Sequence, residues 1–513
     1  MPSLIDTLPG ARQIGAHRPW PRAVVSADGW RLASEYLAEG RASLLGLWGD
    51  GASAQACVHM ALLEEATNAI AVVTCECADG KFPSVGALHP PAIRLERAIL
   101  SLYGFEPVGL PDPRPWLDLG AWGVIHPLGH APFGAATQAA PAQRPAYAFL
   151  PSEGESLHQI AVGPVHAGII EPGHFRFTAN GETVVRLEQR LGYVHKGIES
   201  LMTGAALDKA ARLAGRTSGD SSVAYALAFA HAVEAALDIK APPRAIYLRA
   251  LMAEMERLAN HFGDIGAICN DASFVIMHAQ CAIQRERTLR AADSCFGHRL
   301  MMDRVVPGGV ADGLMPRGDA DIRSLLVEVQ AIFPQLVELY DNTASLQDRT
   351  VTTGIVQPAL ARQFGAGGYV GRASGRAFDA RRHAGYAPYD QLNFDVPVFQ
   401  EGDVNARVWV RIREVAQSLS LIGQILDRLP DGAIRVDLPA ADGISEGLGL
   451  VEGFRGDVLV WASLERDRVV RCHLRDPSWF QWPLLEVAIE GNIVADFPLC
   501  NKSFNCSYSG HDL

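Results

Sequence analysis

Residues 163–202, GPVHAGIIEPGHFRFTANGETVVRLEQRLGYVHKGIESLM, place a polar loop, a hairpin signal and a helical repeat next to one another. Asn180-Gly181, between FRFT and ETVV, predicts a two-residue hairpin turn, because both central positions of a type I′ turn need positive φ. Leu187, Leu191, Val194, Ile198 and Leu201 recur at steps of four and three. That spacing predicts a helix with one apolar stripe and with Glu188, Lys196 and Glu199 turned away from it. The loop before the hairpin holds His166, Glu171 and His174 among Gly and Pro. A carboxylate in such a setting can have its pKa raised by desolvation, which makes Glu171 a candidate proton carrier. The competing account is that Gly and Pro shape the loop and its polar groups cap backbone amides.

Outward from this stretch, length and composition set bounds. At 513 residues the chain is too long for one ordinary core, and 48% hydrophobic with 20% charged residues is globular. A net charge of −12 excludes a nucleic-acid groove, since phosphate binding needs a basic surface. MPSLIDTLPGARQIG lacks the basic start and apolar run of a signal peptide. No stretch of about 18 uninterrupted apolar residues occurs, so the chain is not itself transmembrane and is expected in the cytoplasm, peripheral to the inner face of the cell membrane. Nine cysteines without a secretion signal predict free thiols, and C-E-C at 75–77 is not a usual zinc or cluster spacing.

The fold class predicted is α+β: a small N-terminal α/β domain over 1–130, a Pro/Ala linker over 131–157, and a large helical-bundle domain with peripheral β-strands over 158–513. In the first unit GWRLASEYLAEG and PAIRLERAILSLYG read as helices, RASLLGLWGDG and AIAVVTCECADG as strands. VAYALAFAHAVEAAL (223–237) is apolar on most sides and predicts a buried helix. Pro242-Pro243 opens another, and two further long helical patterns follow. GAGGYVG and GRASGRAFDARRHAGY predict a loop region, Asp403 starts a helix, and GDVLVWASLERDRVVRCHL has strand alternation.

Three further constellations carry two readings each. RTSGDSSVAY (216–225) precedes the buried helix, and Ser and Asp there are explained by N-capping. G-x-S-x-G is absent, so a serine nucleophile has no support. Glu254 to His261, EMERLANH, is by period a solvated or inter-helix face of ion pairs. Arg455, in EGFRG, sits in a turn between strands.

GPVHAGIIEPGHFRF, GYVHKGIE, AEMERLANH, RASG at 372–375 and GDVNARVWVR resemble the large subunit of group 4 membrane-bound nickel-iron hydrogenases of the hydrogenase-4 and formate hydrogenlyase type, and its relative, the quinone-site large subunit of respiratory complex I. LERAILSLYGFEPVGLPDPRPW resembles the small complex I subunit that is fused to the large one in such proteins. The resemblance implies docking to a small iron-sulfur subunit, whose cluster lies in that partner, and to antiporter-like membrane subunits. It also matches Glu171 to a glutamate that moves protons and Arg455 to an arginine that overhangs the metals.

The departures concern the metal ligands. The family holds nickel and iron on two C-x-x-C pairs of soft thiolates. The first pair matches Arg216-Thr217-Ser218-Gly219-Asp220-Ser221, where both cysteines are serines. The second matches SFNCSYSGHD, which puts Ser507 and Gly510 there, with Cys506 one position off. A serine hydroxyl stays protonated and is a hard donor. The sequence therefore predicts no nickel-iron centre, no metal and no cofactor of the chain's own. Against complex I, Pro172 or its neighbours replace a quinone-site His and Gly219 a Tyr. The function implied is a subunit coupling electron transfer from an iron-sulfur partner to an ion-translocating membrane module. Two alternatives are a catalytically silent structural subunit, and an NADH/quinone-linked oxidoreductase with quinone or another acceptor in the emptied cavity. His166, His174, Arg216, Ser218, Ser221 and Ser507 complete the candidate site.

Overall fold

The computed structural model describes residues 4–52, 56–120, 122–129, 147–166 and 170–513. The fold is mixed α+β. A five-stranded sheet forms first, from β1 (Arg12–Ile14), β3 (Arg22–Val25), β4 (Ala42–Asp50), β5 (Cys57–Glu64) and β6 (Ile70–Glu76) in the order β1-β3-β6-β5-β4, with β2 (His17–Arg18) leaving it. Only β3 and β6 run parallel, and the chain between them passes through α1 (Ala27–Ala38), β4 and β5. Ser26 caps α1 by accepting from Gly29 N at 3.2 Å. Helix α2 (Ile93–Tyr103) ends on Gly104 at φ 75°, a left-handed cap that glycine adopts without strain. The segment expected to link the domains, 131–157, lies outside the described residues as far as 146. From Tyr147 onward it packs closely: Leu150 N donates to Glu188 Oε2 at 2.9 Å, and the Arg190 guanidinium lies 3.7 Å above the Tyr147 ring.

β7 (Leu157–Val162), β8 (His174–Asn180) and β9 (Thr183–Arg190) form an antiparallel sheet in the order β9-β8-β7. The hairpin is where the sequence places it, but Asn180 pairs with Thr183, so Gly181 and Glu182 are the central turn residues. The helix expected over 187–201 is a correction. Leu187 faces Phe177 in the hairpin register, residues 191–197 are loop, and only Ile198–Met202 is helical. Tertiary bonds outweigh the helical period here, because the Asp512 carboxylate accepts from Gly192 N at 2.8 Å and Val194 N at 3.1 Å. Nor are the acids of that stretch solvated: Glu188 and Glu199 are buried, bonded to Arg114 at 2.6 Å and His473 at 2.8 Å.

The large core is helical: α3 (Ser222–Leu237), α4 (Pro243–Asp271), α5 (Val275–Phe296), α6 (Gly318–Asp341) and α7 (Val404–Arg428), with α7 capped by Asp403, which accepts from Ala406 N at 2.7 Å. The 365–386 region, expected as loop, contains a short helix at Gly368–Ala373. A last sheet joins β10 (Ala441–Glu452), β11 (Asp457–Arg466) and β12 (Arg468–Arg475), and β2 adds a parallel strand to β10. Helix α3 lies across this sheet at close range. A Cβ on Gly447 would overlap the Ala232 carbonyl, and one on Gly449 the Ala228 carbonyl, so both must be glycine. All nine cysteines are buried, and none is in a disulfide.

Beneath the turn between β10 and β11 lies a buried ionic network. Arg372 pairs with Glu414 at 2.7 Å, Glu452 at 2.8 Å and Asp379 at 3.6 Å. Arg381 pairs with Asp379 at 2.7 Å and Glu254 at 2.9 Å, Arg257 with Glu254 at 3.4 Å, and His261 bonds Glu414 at 2.7 Å. The EMERLANH face is thus an inter-helix face. Arg257 also donates to the Gly453 and Glu452 carbonyls at 2.8 and 2.7 Å and so fixes the 453–456 turn from below. Burial raises the Glu452 carboxyl above the usual glutamate range, the neighbouring Asp379 carboxylate raises it further, and Arg372 opposes both. Folded Glu452 therefore keeps a proton that the unfolded chain has lost, so its contribution to stability declines as pH rises from the ordinary glutamate pKa to the raised one. Urea unfolding over a pH series is expected to show this decline in the parent and a flatter profile in Glu452→Gln.

Candidate functional site

RTSGDSS leads into α3, and the sequence accounts for its Ser and Asp as caps. Ser221 does occupy the N-cap position, yet its side chain caps nothing. The orphan amides of the first turn go to Glu256 on α4, which accepts from Val223 N at 2.7 Å and Ala224 N at 3.1 Å. The short polar side chains before α3 are thereby released. Asp220 accepts from Ser218 Oγ at 2.7 Å, from Ser221 Oγ at 3.3 Å and from Arg455 Nη2 at 2.6 Å. Burial pushes the Asp220 carboxyl up, but the Arg455 guanidinium and the hydroxyls more than reverse this and hold it below the usual carboxylate range. Arg455 is itself buried in the fixed turn, donates through Nε to Asn505 O at 2.5 Å and lies 4.5 Å over the Phe454 ring.

The facing wall is built by α8 (Ser478–Ala488) and the short helix α9 (Tyr508–Asp512). Ser507 caps α9 by accepting from Gly510 N at 2.8 Å, and its Oγ is 3.0 Å from Ser218 Oγ. The Ser507 amide donates to Ser478 Oγ at 2.8 Å. Asp476 accepts from Tyr225 OH at 2.7 Å and Ser478 N at 2.8 Å and sits against Gly510, where an added Cβ would lie 2.5 Å from Asp476 Oδ2. Helix α9 is itself anchored: His511 stacks on Trp479 at 3.9 Å and bonds Asp512 Oδ1 at 2.8 Å, and Asp512 O accepts from His195 Nδ1 at 2.7 Å. Lys196 Nζ donates to the Arg216 and Thr217 carbonyls at 3.0 and 2.7 Å and closes the wall on the α3 side.

Of the residues nominated from sequence, Ser218, Ser221, Ser507 and Arg455 come together in this one network, with Gly510 beside it. Glu171 touches its edge by accepting from Ser509 N at 2.9 Å. Its side chain lies at the surface. His166 is half-buried in the loop. His174 opens β8, bonds Gly163 O at 3.0 Å through Nδ1 and packs 5.1 Å from Phe149, with its pKa lowered chiefly by burial. Arg216 turns outward into a bidentate pair with Asp303 at 2.8 Å. Cys506 is buried, 3.9 Å from Gln481 Oε1, and burial pushes its thiol up. Asp220, Glu256, Asp476 and Tyr225 were not nominated. An acid between two serines, in a segment matched to an arginine-covered site, was the available signal for Asp220.

The donors at this place are hydroxyls and a carboxylate already bonded to a guanidinium. Among the described residues no group of three or more His, Cys, Asp or Glu is arranged to hold a metal. Hard oxygens, a glycine with no donor and a cation in the middle do not fit a thiolate-bound nickel-iron centre. The fit around Gly510 is tight enough to measure. Gly510→Ala is expected to force Asp476 off Tyr225 and Ser478 and to cost about 1–3 kcal/mol in urea unfolding, without changing the far-UV circular dichroism.

Residues 271–446 match the family described as the respiratory-chain NADH dehydrogenase, 49 Kd subunit. Formate hydrogenlyase subunit 5 of Escherichia coli is 32% identical over 437 residues, 84% of this chain and 77% of that protein. Hydrogenase-4 component G of the same organism is 31% identical over 84% of this chain and 76% of its own length. In fold, a chain of the membrane-bound sulfane sulfur reductase, an archaeal respiratory membrane complex, matches with a TM-score of 0.66 at 24% identity, covering 70% of this chain and 99% of that one. The chain belongs to the large-subunit family of the group 4 membrane-bound nickel-iron hydrogenases, which is related to the fused subunits of respiratory complex I.

Proposed function

We propose that the chain is a subunit of a membrane-associated, complex-I-like or hydrogenase-4-like oxidoreductase complex that works without a nickel-iron centre of its own. It would couple electron transfer from a small iron-sulfur partner to an ion-translocating, antiporter-like membrane module, from a peripheral position on the inner face of the membrane. The observation that carries this reading is the Asp220–Arg455 pair with Ser218, Ser221 and Ser507, at the positions that the sequence resemblance matches to the family's metal thiolates. An ion pair closed by hydroxyls supplies no vacant soft donor, while it leaves exchangeable protons in line. Membrane attachment falls to partners on this reading, since among the described residues no helix is long and apolar enough to cross a bilayer. A catalytically silent scaffold is the second reading, favoured by the internal pairing of Arg455 with Asp220. Redox-dependent spectral change in the purified complex, with and without added quinone, separates the two: a response to quinone supports an enzyme, and silence in both conditions supports the scaffold.

Metal analysis of the purified complex is expected to find nickel far below one per chain and no hydrogen evolution, and stoichiometric nickel would overturn the proposal. On this reading Glu171 is the surface end of the proton path. Glu171→Gln is then expected to lower proton-coupled turnover several-fold with assembly intact, and unchanged turnover removes Glu171 from the path.

A further inference from the structure

Glu171 is not the cluster's sole contact with solvent. A cleft of about 270 Å3 opens between α4 and α5, lined by Asp220, Glu256, Asn260, Thr288, Met255 and Leu300. About a third of the Asp220 side chain, 34%, is exposed, while its partner Arg455 is 3% exposed. Asn260 joins the two acidic walls, donating from Nδ2 to Asp220 O at 2.7 Å and Glu256 O at 2.9 Å. Beyond Asp220 the hydroxyls of Ser218 and Ser507 continue inward at 2.7 and 3.0 Å, toward the α9 turn whose Ser509 amide meets Glu171.

We propose that this cleft is a second proton inlet to the Asp220–Arg455 cluster, with Glu256 as the group that holds and releases the proton; the proposal rests on reading the chain as a metal-free subunit of a proton-coupled complex. The groups facing Glu256 are Asp220 before α3, Arg257 and Asn260 on α4, Arg285 on α5 and Arg299 on the following loop. Burial lifts Glu256 to about 8 against the two α3 amides it accepts, and the Asp220 charge adds to the lift while Arg257 opposes it. The acid therefore carries its proton at neutral pH. The proton leaves the Glu256 carboxyl for water in the cleft and passes to the Asp220 carboxylate. The Asp220 carboxyl is then the neutral acid and Glu256 the carboxylate; solvent reprotonates Glu256, so the net change is one proton from solvent held on Asp220, and no electron carrier is consumed.

Infrared spectroscopy of the purified full-length chain tests this without any turnover. The difference between the parent and Glu256→Gln, which keeps a carbonyl for the α3 amides, is expected to contain at pH 7 a protonated-carboxyl band that belongs to Glu256, apart from the contribution of other buried acids such as Glu452. The band should titrate near pH 8, and in Asp220→Asn its midpoint should fall, because a negative neighbour has been removed. On mixing with D2O the band should shift at once in the parent and several-fold more slowly in Leu300→Trp, where the cleft wall is thickened. Absence of a Glu256 band at pH 7, a midpoint unmoved by Asp220→Asn, or exchange unaffected by Leu300→Trp would each overturn the inlet. None of these readouts depends on nickel or turnover, so the functional reading stands or falls separately.

Discussion

The ion pair between Asp220 and Arg455 is the constraint around which the site closes. A paired charge in a protein interior gains little net stability, because desolvation takes back most of the Coulombic attraction. Removing one partner is a different matter, since the other is left uncompensated. Arg455 is buried, and so its place depends on Asp220 and on the turn that carries it. That turn is held by Arg257 through two carbonyls, and Arg257 belongs to a network reaching α7 through Glu414 and the 365–386 region through Arg372 and Arg381. Two helices, a loop region and the last sheet are thereby tied to one guanidinium position.

The same dependence explains how much was legible in the sequence. Long helices with unbroken apolar periods, such as Pro243–Asp271 and Val404–Arg428, and the strands 42–50 and 70–76 are written in local pattern and turn residues, and the structure has them. The stretch 187–201 has an equally good helical period and is strand and loop as far as residue 197. Its amides are taken by the Asp512 carboxylate from more than 300 residues away in sequence. A periodic pattern reports which face is apolar. It is silent about a distant side chain that offers the backbone better partners than its own carbonyls.

At the site the residue types were readable and the partnerships were not. Ser218, Ser221, Ser507 and Arg455 were singled out by matching motifs, and they do lie in one network. Asp220 looked like a helix cap because Ser and Asp before a helix usually are. It is free to face Arg455 only because Glu256, a residue of another helix, caps α3 in its stead. Glu171 was expected to be desolvated from its Gly, Pro and apolar neighbours, but neighbours in sequence do not determine solvent access, and its side chain lies at the surface.

The exchange of sulfur for oxygen redirects what the site can do. Thiolates donate electron density to metals, and their loss removes the only soft ligands that the family's two motifs supply. Hydroxyls and carboxylates retain a different capacity, since each can accept a proton on one side and release one on the other. Ser218 has Asp220 on one side at 2.7 Å and Ser507 on the other at 3.0 Å, a geometry that suits proton exchange and offers no thiolate to nickel or iron. The fixed charge of Arg455 serves that chemistry too, because it keeps Asp220 ionised and able to accept. In this chain the charged and hydroxylic groups at the site are bonded to one another, and the arrangement they form is a hydrogen-bonded one, closed around Arg455.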